Sequence, residues 1–70
     1  MTMQIATLAT AEKLLSACEV LSTQNTLHRP GYGNRIFRTV QARSQNGSKV
    51  VVEFWGELSQ GVETFARVWA

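Results

Sequence analysis

The chain has 70 residues and a formal net charge of +2, with one cysteine and one histidine. That length predicts one domain over residues 1–70, with a core that is only marginally stable by itself. A lone cysteine excludes an internal disulfide, and one cysteine with one histidine falls short of the four protein ligands of a structural zinc site. Oligomerisation or unusually good packing therefore has to supply further stability.

The cellular location is predicted from the same composition. The single Cys18 fits a reducing compartment. No apolar run is long enough to span a membrane, and the N-terminus lacks the basic and apolar pattern of a signal peptide. We therefore expect a cytoplasmic protein that does not enter a membrane.

The first eight residues alternate in a way that favours a short edge strand. A frayed lead-in to the following helix is the alternative. The alternating sets are Met3, Ile5 and Thr7 on one side and Gln4, Ala6 and Leu8 on the other.

A helix is predicted over residues 11–23. Thr10 suits the N-cap, and Glu12 lies in the first turn, where the helix dipole favours an acid. The helix should cover one face of a sheet and bury the thiol of Cys18. Its apolar stripe consists of Ala11, Leu14, Leu15, Cys18 and Leu21.

Residues 25–34 are predicted to form a loop, with Pro30-Gly31 at the centre of a type II turn. No acid lies between Glu19 and Glu53, so this loop and the strand after it form a basic segment. The alternatives for this segment are ordinary solubilising charges, or a loop aromatic that packs on the core edge. The residues of a candidate secondary binding site here are His28, Arg29, Tyr32 and Arg43.

Three alternating runs predict an antiparallel meander over residues 35–44, 48–58 and 62–70. A two-residue turn at Asn46-Gly47 would mix charged and apolar groups on both faces, so we predict three-residue loops at 45–47 and 59–61. Gly47 is then the left-handed residue of its loop. The pairs predicted on the face toward the helix are Ala42–Val50, Val40–Val52, Ile36–Gly56, Phe54–Ala66, Val52–Val68 and Leu58–Val62.

Two positions fit this register poorly. Arg38 falls on the face toward the helix, opposite Phe54, where its head group would have to reach water at the sheet's rim. Arg43 lies opposite Lys49, which brings two like charges together.

Large rings collect on the other face of the predicted sheet, which should face solvent. Four clustered rings present more apolar surface than ordinary monomers expose. The predicted pairs on this face are Gln41–Val51, Thr39–Glu53, Phe37–Trp55, Arg35–Glu57, Trp55–Phe65, Glu53–Arg67 and Val51–Trp69. The candidate partner-binding residues are Phe37, Trp55, Phe65, Trp69, Arg35 and Arg67.

Three interpretations of this aromatic face compete. It binds protein, either as a homodimer or on a foreign target, as the enrichment of Trp, Phe and Arg at interfaces indicates. It binds single-stranded nucleic acid by base stacking and phosphate contacts, although glutamates share the face. Alternatively, Met1, Met3 and Ile5 fold over it. We favour the first interpretation: a small adaptor, regulator or inhibitor, of a size typical of phage or mobile-element proteins.

Few side chains are available for catalysis, because the chain has no aspartate, one histidine and one cysteine. A nucleophilic pair would need Cys18 exposed beside His28, whereas the helical pattern buries this thiol. Gly31 and Gly33 lack the strand–turn–helix context of a phosphate-binding loop. We therefore expect a non-enzymatic protein without catalytic residues, metal or cofactor.

Overall fold

A computed structural model describes residues 1–25, 34–57 and 59–70. These residues form one helix and a five-stranded antiparallel sheet, so the α+β class is confirmed, whereas the predicted meander of three strands, with at most one further edge strand, is incomplete. His28, Arg29, Tyr32 and Leu58 lie outside the described residues. The elements are β1 (Met3–Ala6), α1 (Leu8–Ser16), β2 (Glu19–Asn25), β3 (Asn34–Arg43), β4 (Lys49–Glu57) and β5 (Phe65–Trp69).

The sheet has the strand order β1-β5-β4-β3-β2, so the two strands from the N-terminal part flank the meander. The edge-strand interpretation of the N-terminus is confirmed, because Met3 lies opposite Trp69 and Ile5 opposite Arg67 in an antiparallel ladder. Thr2 and Ala70 extend the ladder with two reciprocal backbone hydrogen bonds of 2.8 and 3.2 Å. Helix α1 therefore connects strands on opposite edges of the sheet.

Helix α1 begins earlier and ends sooner than predicted. The hydroxyl of Thr7 caps it by accepting a hydrogen bond from the backbone N–H of Thr10 at 3.2 Å. The predicted cap at Thr10 is wrong, because Leu8 already belongs to the helix and packs against the core. The helix ends at Ser16, and Cys18 lies just beyond it.

Residues 19–25 form strand β2, so the helix predicted to reach residue 23 is wrong there. Leu21 continues the spacing of the helical apolar stripe, which made the helix pattern look longer than it is. Ser, Thr and Asn are weak helix formers, and the edge of β3 offers this segment a full set of backbone hydrogen bonds. All seven residues of β2 are exposed.

The hairpin of β3 and β4 has the predicted register near its turn. Ala42 lies opposite Val50, Val40 opposite Val52, and the like-charged Arg43 and Lys49 are also opposite each other. Ser44 and Ser48 close the three-residue loop, since the N–H of Ser44 donates to the carbonyl of Ser48 at 2.8 Å. Gly47 has a φ of 89°, which confirms its left-handed conformation.

Further from the turn, a β-bulge between Ile36 and Arg38 shifts the register by one residue. Ile36 is opposite Trp55, and Arg35 is opposite Gly56. Two residues of the bulged strand oppose one residue of its neighbour, which a sequence pattern of period two does not reveal. The predicted pairs Phe37–Trp55, Ile36–Gly56 and Arg35–Glu57 are therefore wrong.

The hairpin of β4 and β5 keeps the predicted register along its whole ladder. The predicted three-residue loop is too short, because β4 ends at Glu57 and β5 begins at Phe65. The predicted pair Leu58–Val62 lies outside the described residues. The confirmed pairs are Val51–Trp69, Val52–Val68, Glu53–Arg67, Phe54–Ala66 and Trp55–Phe65.

The hydrophobic core lies between α1 and one sheet face, which we call the inner face. Phe54 and Val52 are the largest fully buried side chains among the described residues. A core with so few large side chains agrees with the marginal stability expected at this length. The buried residues are Ala11, Val40, Ala42, Val50, Val52, Phe54 and Ala66.

Candidate functional site

The sheet face opposite α1, which we call the outer face, carries most of the predicted partner-binding residues. Side chains directly opposite each other in an antiparallel ladder share a face, so the registers assign its members. No helix among the described residues lies on it, because the core cluster places α1 on the inner face. The apolar members of the outer face are Met3, Ile5, Ile36, Val51, Trp55, Phe65 and Trp69.

Trp55 is at the centre of the contacts on the outer face. Its ring stacks on Phe65, with centroids 6.3 Å apart and an interplanar angle of 13°. The guanidinium carbon of Arg67 lies 4.4 Å from the centroid of the Trp55 ring, and the indole N–H donates to Glu53 Oε1 at 3.2 Å. These contacts hold the ring in one orientation, so the surface it presents is preorganised.

Glu53 and Arg67 are opposite each other, as predicted, but they do not form an ion pair. Arg67 lies over Trp55 instead, and Glu53 accepts from the indole. In the part of the chain that the structure describes, Nε of Arg67 is enclosed and has no hydrogen-bond partner. The guanidinium is therefore held by the ring while a donor stays unsatisfied.

The outer face is open at the edge formed by β1. Met3 is 42% exposed and Ile5 67% exposed, while the three rings Trp55, Phe65 and Trp69 are partly exposed. The alternative in which the N-terminal segment covers the rings is wrong. That segment lies beside β5 within the sheet, so its side chains enlarge the outer face.

Phe37 and Arg35 do not belong to the outer face, contrary to the prediction. Because of the bulge, both Phe37 and Arg38 oppose the inner-face residue Phe54. The ring atom Cε2 of Phe37 lies 2.8 Å from the position a Cβ would take at Gly56, which is an inner-face position. Arg35 lies on the inner face as well, because its guanidinium carbon is 3.9 Å from the centroid of the Phe37 ring.

The formal charges of the outer face cancel among the described residues. Arg67 is its central cation, and Glu53 lies directly opposite. Charge balance of this kind gives little electrostatic attraction for a polyanion. The cationic members are Arg43, Lys49 and Arg67, and the acidic members are Glu19, Glu53 and Glu57.

Arg38, predicted to reach water at the rim of the sheet, forms a clamp instead. Its Nε donates to Glu63 at 2.7 Å, one Nη donates to Glu12 at 3.2 Å, and the guanidinium lies 3.8 Å from the Phe54 ring centroid. The hydrogen bond to Glu63 raises the pKa of Arg38 above its usual value. The clamp joins α1, β3 and the segment before β5, and it fixes the inner side of the molecule.

We predict that Glu63→Gln lowers the free energy of unfolding by about 1–2 kcal/mol, because the bond to a charged guanidinium is weakened. Urea denaturation followed by circular dichroism measures this change. Glu57→Gln, at an exposed outer-face position, should stay within about 0.5 kcal/mol of the wild type. Equal stability of the two variants would contradict a stabilising role of the clamp.

Cys18 is neither fully buried nor within the helix, contrary to the prediction. It packs against the core beside Leu14 and lines a shallow depression together with Ser44 and Asn46.

In residues 1–25, 34–57 and 59–70, no three histidine, cysteine or glutamate side chains come together as metal ligands would. In the same residues, no helix has the length and apolar character needed to cross a membrane.

Comparisons with known proteins give no relative from which a function could be transferred. No protein-family model matches the chain, no curated protein matches it, and no solved structure matches its fold. The structure thus defines a small α+β protein with an antiparallel sheet, one face of which is covered by a helix. Its function has to be argued from the outer face itself.

Proposed function

We propose that this chain is a non-enzymatic protein-interaction module, acting as an adaptor, regulator or inhibitor, that docks on a protein through its outer face. The observation that carries the proposal is the fixed, partly exposed cluster of Trp55, Phe65 and Trp69 beside exposed Met3 and Ile5. Aromatic residues, methionine and arginine are enriched at protein interfaces.

The geometry of the rings supports a preformed docking surface. Ring stacking and the hydrogen bond to Glu53 restrict Trp55 before any partner arrives. A side chain that is already ordered loses less conformational entropy on binding, which raises affinity. The β-strands beneath the rings fix their spacing in turn.

Single-stranded nucleic acid is the second candidate partner, favoured by the arginine placed over a stacked ring pair. Two findings weaken it. Arg35 lies on the inner face, so it cannot join Arg67 in holding one phosphate backbone. The remaining cations of the outer face are matched by three glutamates.

A reducing compartment is part of the proposal. Cys18 is the single cysteine of the chain and is free. A cytoplasmic location is consistent with an unpaired, partly exposed thiol, because oxidising compartments favour disulfides.

The proposal predicts that Trp69→Arg abolishes partner binding. A charge placed among the rings is desolvated on docking and has no counter-charge there, which should weaken binding at least a hundredfold. Proteins retained on immobilised wild type are quantified by mass spectrometry, and each is then purified for a direct affinity measurement. Val62→Arg is the matched control, because Val62 is 55% exposed and lies outside the outer face.

A labelled oligothymidylate titration separates the two partner classes. We expect the protein to show no oligothymidylate binding that is lost on substitution of Trp69. Saturable binding that Trp69→Arg removes, with affinity falling steeply as salt rises, would establish the nucleic-acid function instead. Proteins that bind the Trp69→Arg and Val62→Arg variants equally well would show that the outer face is not the docking surface.

A further inference from the structure

We infer that the partner on the outer face is a second copy of this chain, in a face-to-face dimer whose two-fold axis runs along the strands between β4 and β5. The inference rests on the proposed protein-binding role of this face. It names the partner and its orientation, which the proposed function leaves open.

The two-fold rotation about this axis brings the outer-face residues of β4 in one copy over their own cross-strand partners on β5 in the other copy. The pairs are Val51–Trp69, Glu53–Arg67 and Trp55–Phe65. A two-fold axis along the strands places β4 of one copy over β5 of the other at the same level. Each member of a pair then meets the opposite member in the second copy, as an isologous interface requires.

The resulting contacts match in size and chemistry. The large Trp69 meets the small Val51 of the second copy, so the two sheets can approach closely at that level. Trp55 meets Phe65 of the second copy, which extends the stacked pair already present in each chain. Two sheets with aligned strands pack face to face at about 10 Å in this way.

The dimer also gives the guanidinium of Arg67 a carboxylate partner. Within its own chain Arg67 lies over the Trp55 ring, its Nε is enclosed and leaves the Nη groups to pair with a second copy, and Glu53 uses one carboxylate oxygen for the Trp55 indole. A carboxylate offers about four acceptor sites, so Glu53 of the second copy can accept from Arg67 and keep its own indole bond. Two symmetric Arg67–Glu53 pairs form across the interface.

Charge selects this axis over the perpendicular one. A two-fold axis running across the strands at the level of Glu53 would place Glu53 over Glu53 and Arg67 over Arg67. Like charges facing each other at an interface are strongly unfavourable. The axis along the strands replaces both repulsions by attractions between Arg67 and Glu53 of the two copies.

The available area fits a dimer of ordinary size. The molecule measures 38 × 20 × 19 Å, so the flat area of any one of its faces is at most about 760 Å². Standard interfaces use about 600–1,000 Å² per partner. Most of the outer face is therefore needed, which agrees with its apolar residues extending from Ile36 on β3 to Met3 on β1.

Charge reversal with mixing tests the arrangement. Glu53→Arg and Arg67→Glu each bring like charges together in the homodimer, so each variant alone should dissociate at least a hundredfold more readily than the wild type. In an equimolar mixture, every 53–67 contact between the two chains is attractive again. Light scattering on a sizing column should show the dimer mass restored, with an affinity tag on one variant retaining the other.

Rescue by mixing isolates the contact between chains. Each variant also brings like charges together within its own chain, and mixing cannot relieve that repulsion. A wild type that stays monomeric at every soluble concentration overturns the second copy as partner. The docking of a foreign protein is then tested separately by comparing the binding of wild type and Trp69→Arg. A dimeric wild type whose variants are not rescued by mixing overturns the axis.

Neutral variants keep the test decisive if a charge-reversed chain fails to fold. In a mixture of Glu53→Gln and Arg67→Gln, only the heterodimer retains one Arg67–Glu53 pair. Native mass spectrometry should find the heterodimer above the share that random pairing gives. Random pairing in this mixture would overturn the proposed contact.

Discussion

Replacing Trp55 and Phe65 together by threonine should leave a folded chain that no longer self-associates. Each aromatic hot spot at an interface contributes about 2 kcal/mol or more, so losing both should raise the dissociation constant about a thousandfold. Threonine suits a strand, which keeps β4 and β5 intact. Light scattering gives the mass, and the emission of Trp69, the remaining tryptophan on the same face, should shift to the red as it meets water.

The matched control removes exposed apolar surface elsewhere. Val20 is 50% exposed and Val62 is 55% exposed, and neither belongs to the outer face. The variant with both changed to threonine should dimerise as the wild type does. If the Trp55/Phe65 variant unfolds instead, the rings belong to the core of the monomer, because truncation of a buried aromatic costs about 3–5 kcal/mol.

The sequence predicted the part of the outer face in which local pairing rules decide the register. Between its exposed terminal residues, β4 alternates strictly between buried and half-buried residues, and Gly47 fixes the turn that starts the first ladder. The pairs Trp55–Phe65 and Glu53–Arg67 follow when that alternation is combined with a hairpin whose loop is centred on Gln60. The sequence could not predict whether the guanidinium of Arg67 contacts the Trp55 ring or the Glu53 carboxylate, because that depends on side-chain geometry.

The two errors that most affect the assignment of residues to elements and faces have different causes. At residues 19–25 the helical spacing ends without a strong stop signal such as glycine, and the strand forms because β3 has a free edge, a tertiary cause. At Phe37 a bulge adds a residue that leaves the apolar pattern unchanged. The first error hid an exposed edge strand, and the second assigned Phe37 and Arg35 to the wrong face.

Gly56→Ala should unfold the monomer. A Cβ at this position would lie 2.0 Å from the carbonyl oxygen of Val62 and 2.8 Å from Cε2 of Phe37. The backbone oxygen cannot move without displacing the segment before β5, which carries Glu63 of the clamp. Such overpacking costs about 3 kcal/mol or more, against the 3–5 kcal/mol that a core of this size supplies. Thermal unfolding followed by circular dichroism measures the loss.

Comparison variants identify which contact makes Gly56 necessary. Gly61→Ala has open space around its Cβ and a φ of 68°, so it should cost only the strain of a left-handed residue, about 1–2 kcal/mol. Adding Phe37→Ala to Gly56→Ala should restore nothing, since the closer obstacle is backbone. A stable Gly56→Ala chain would contradict the close approach of the Val62 carbonyl oxygen to Gly56, and with it the packing of the segment before β5 against the inner face.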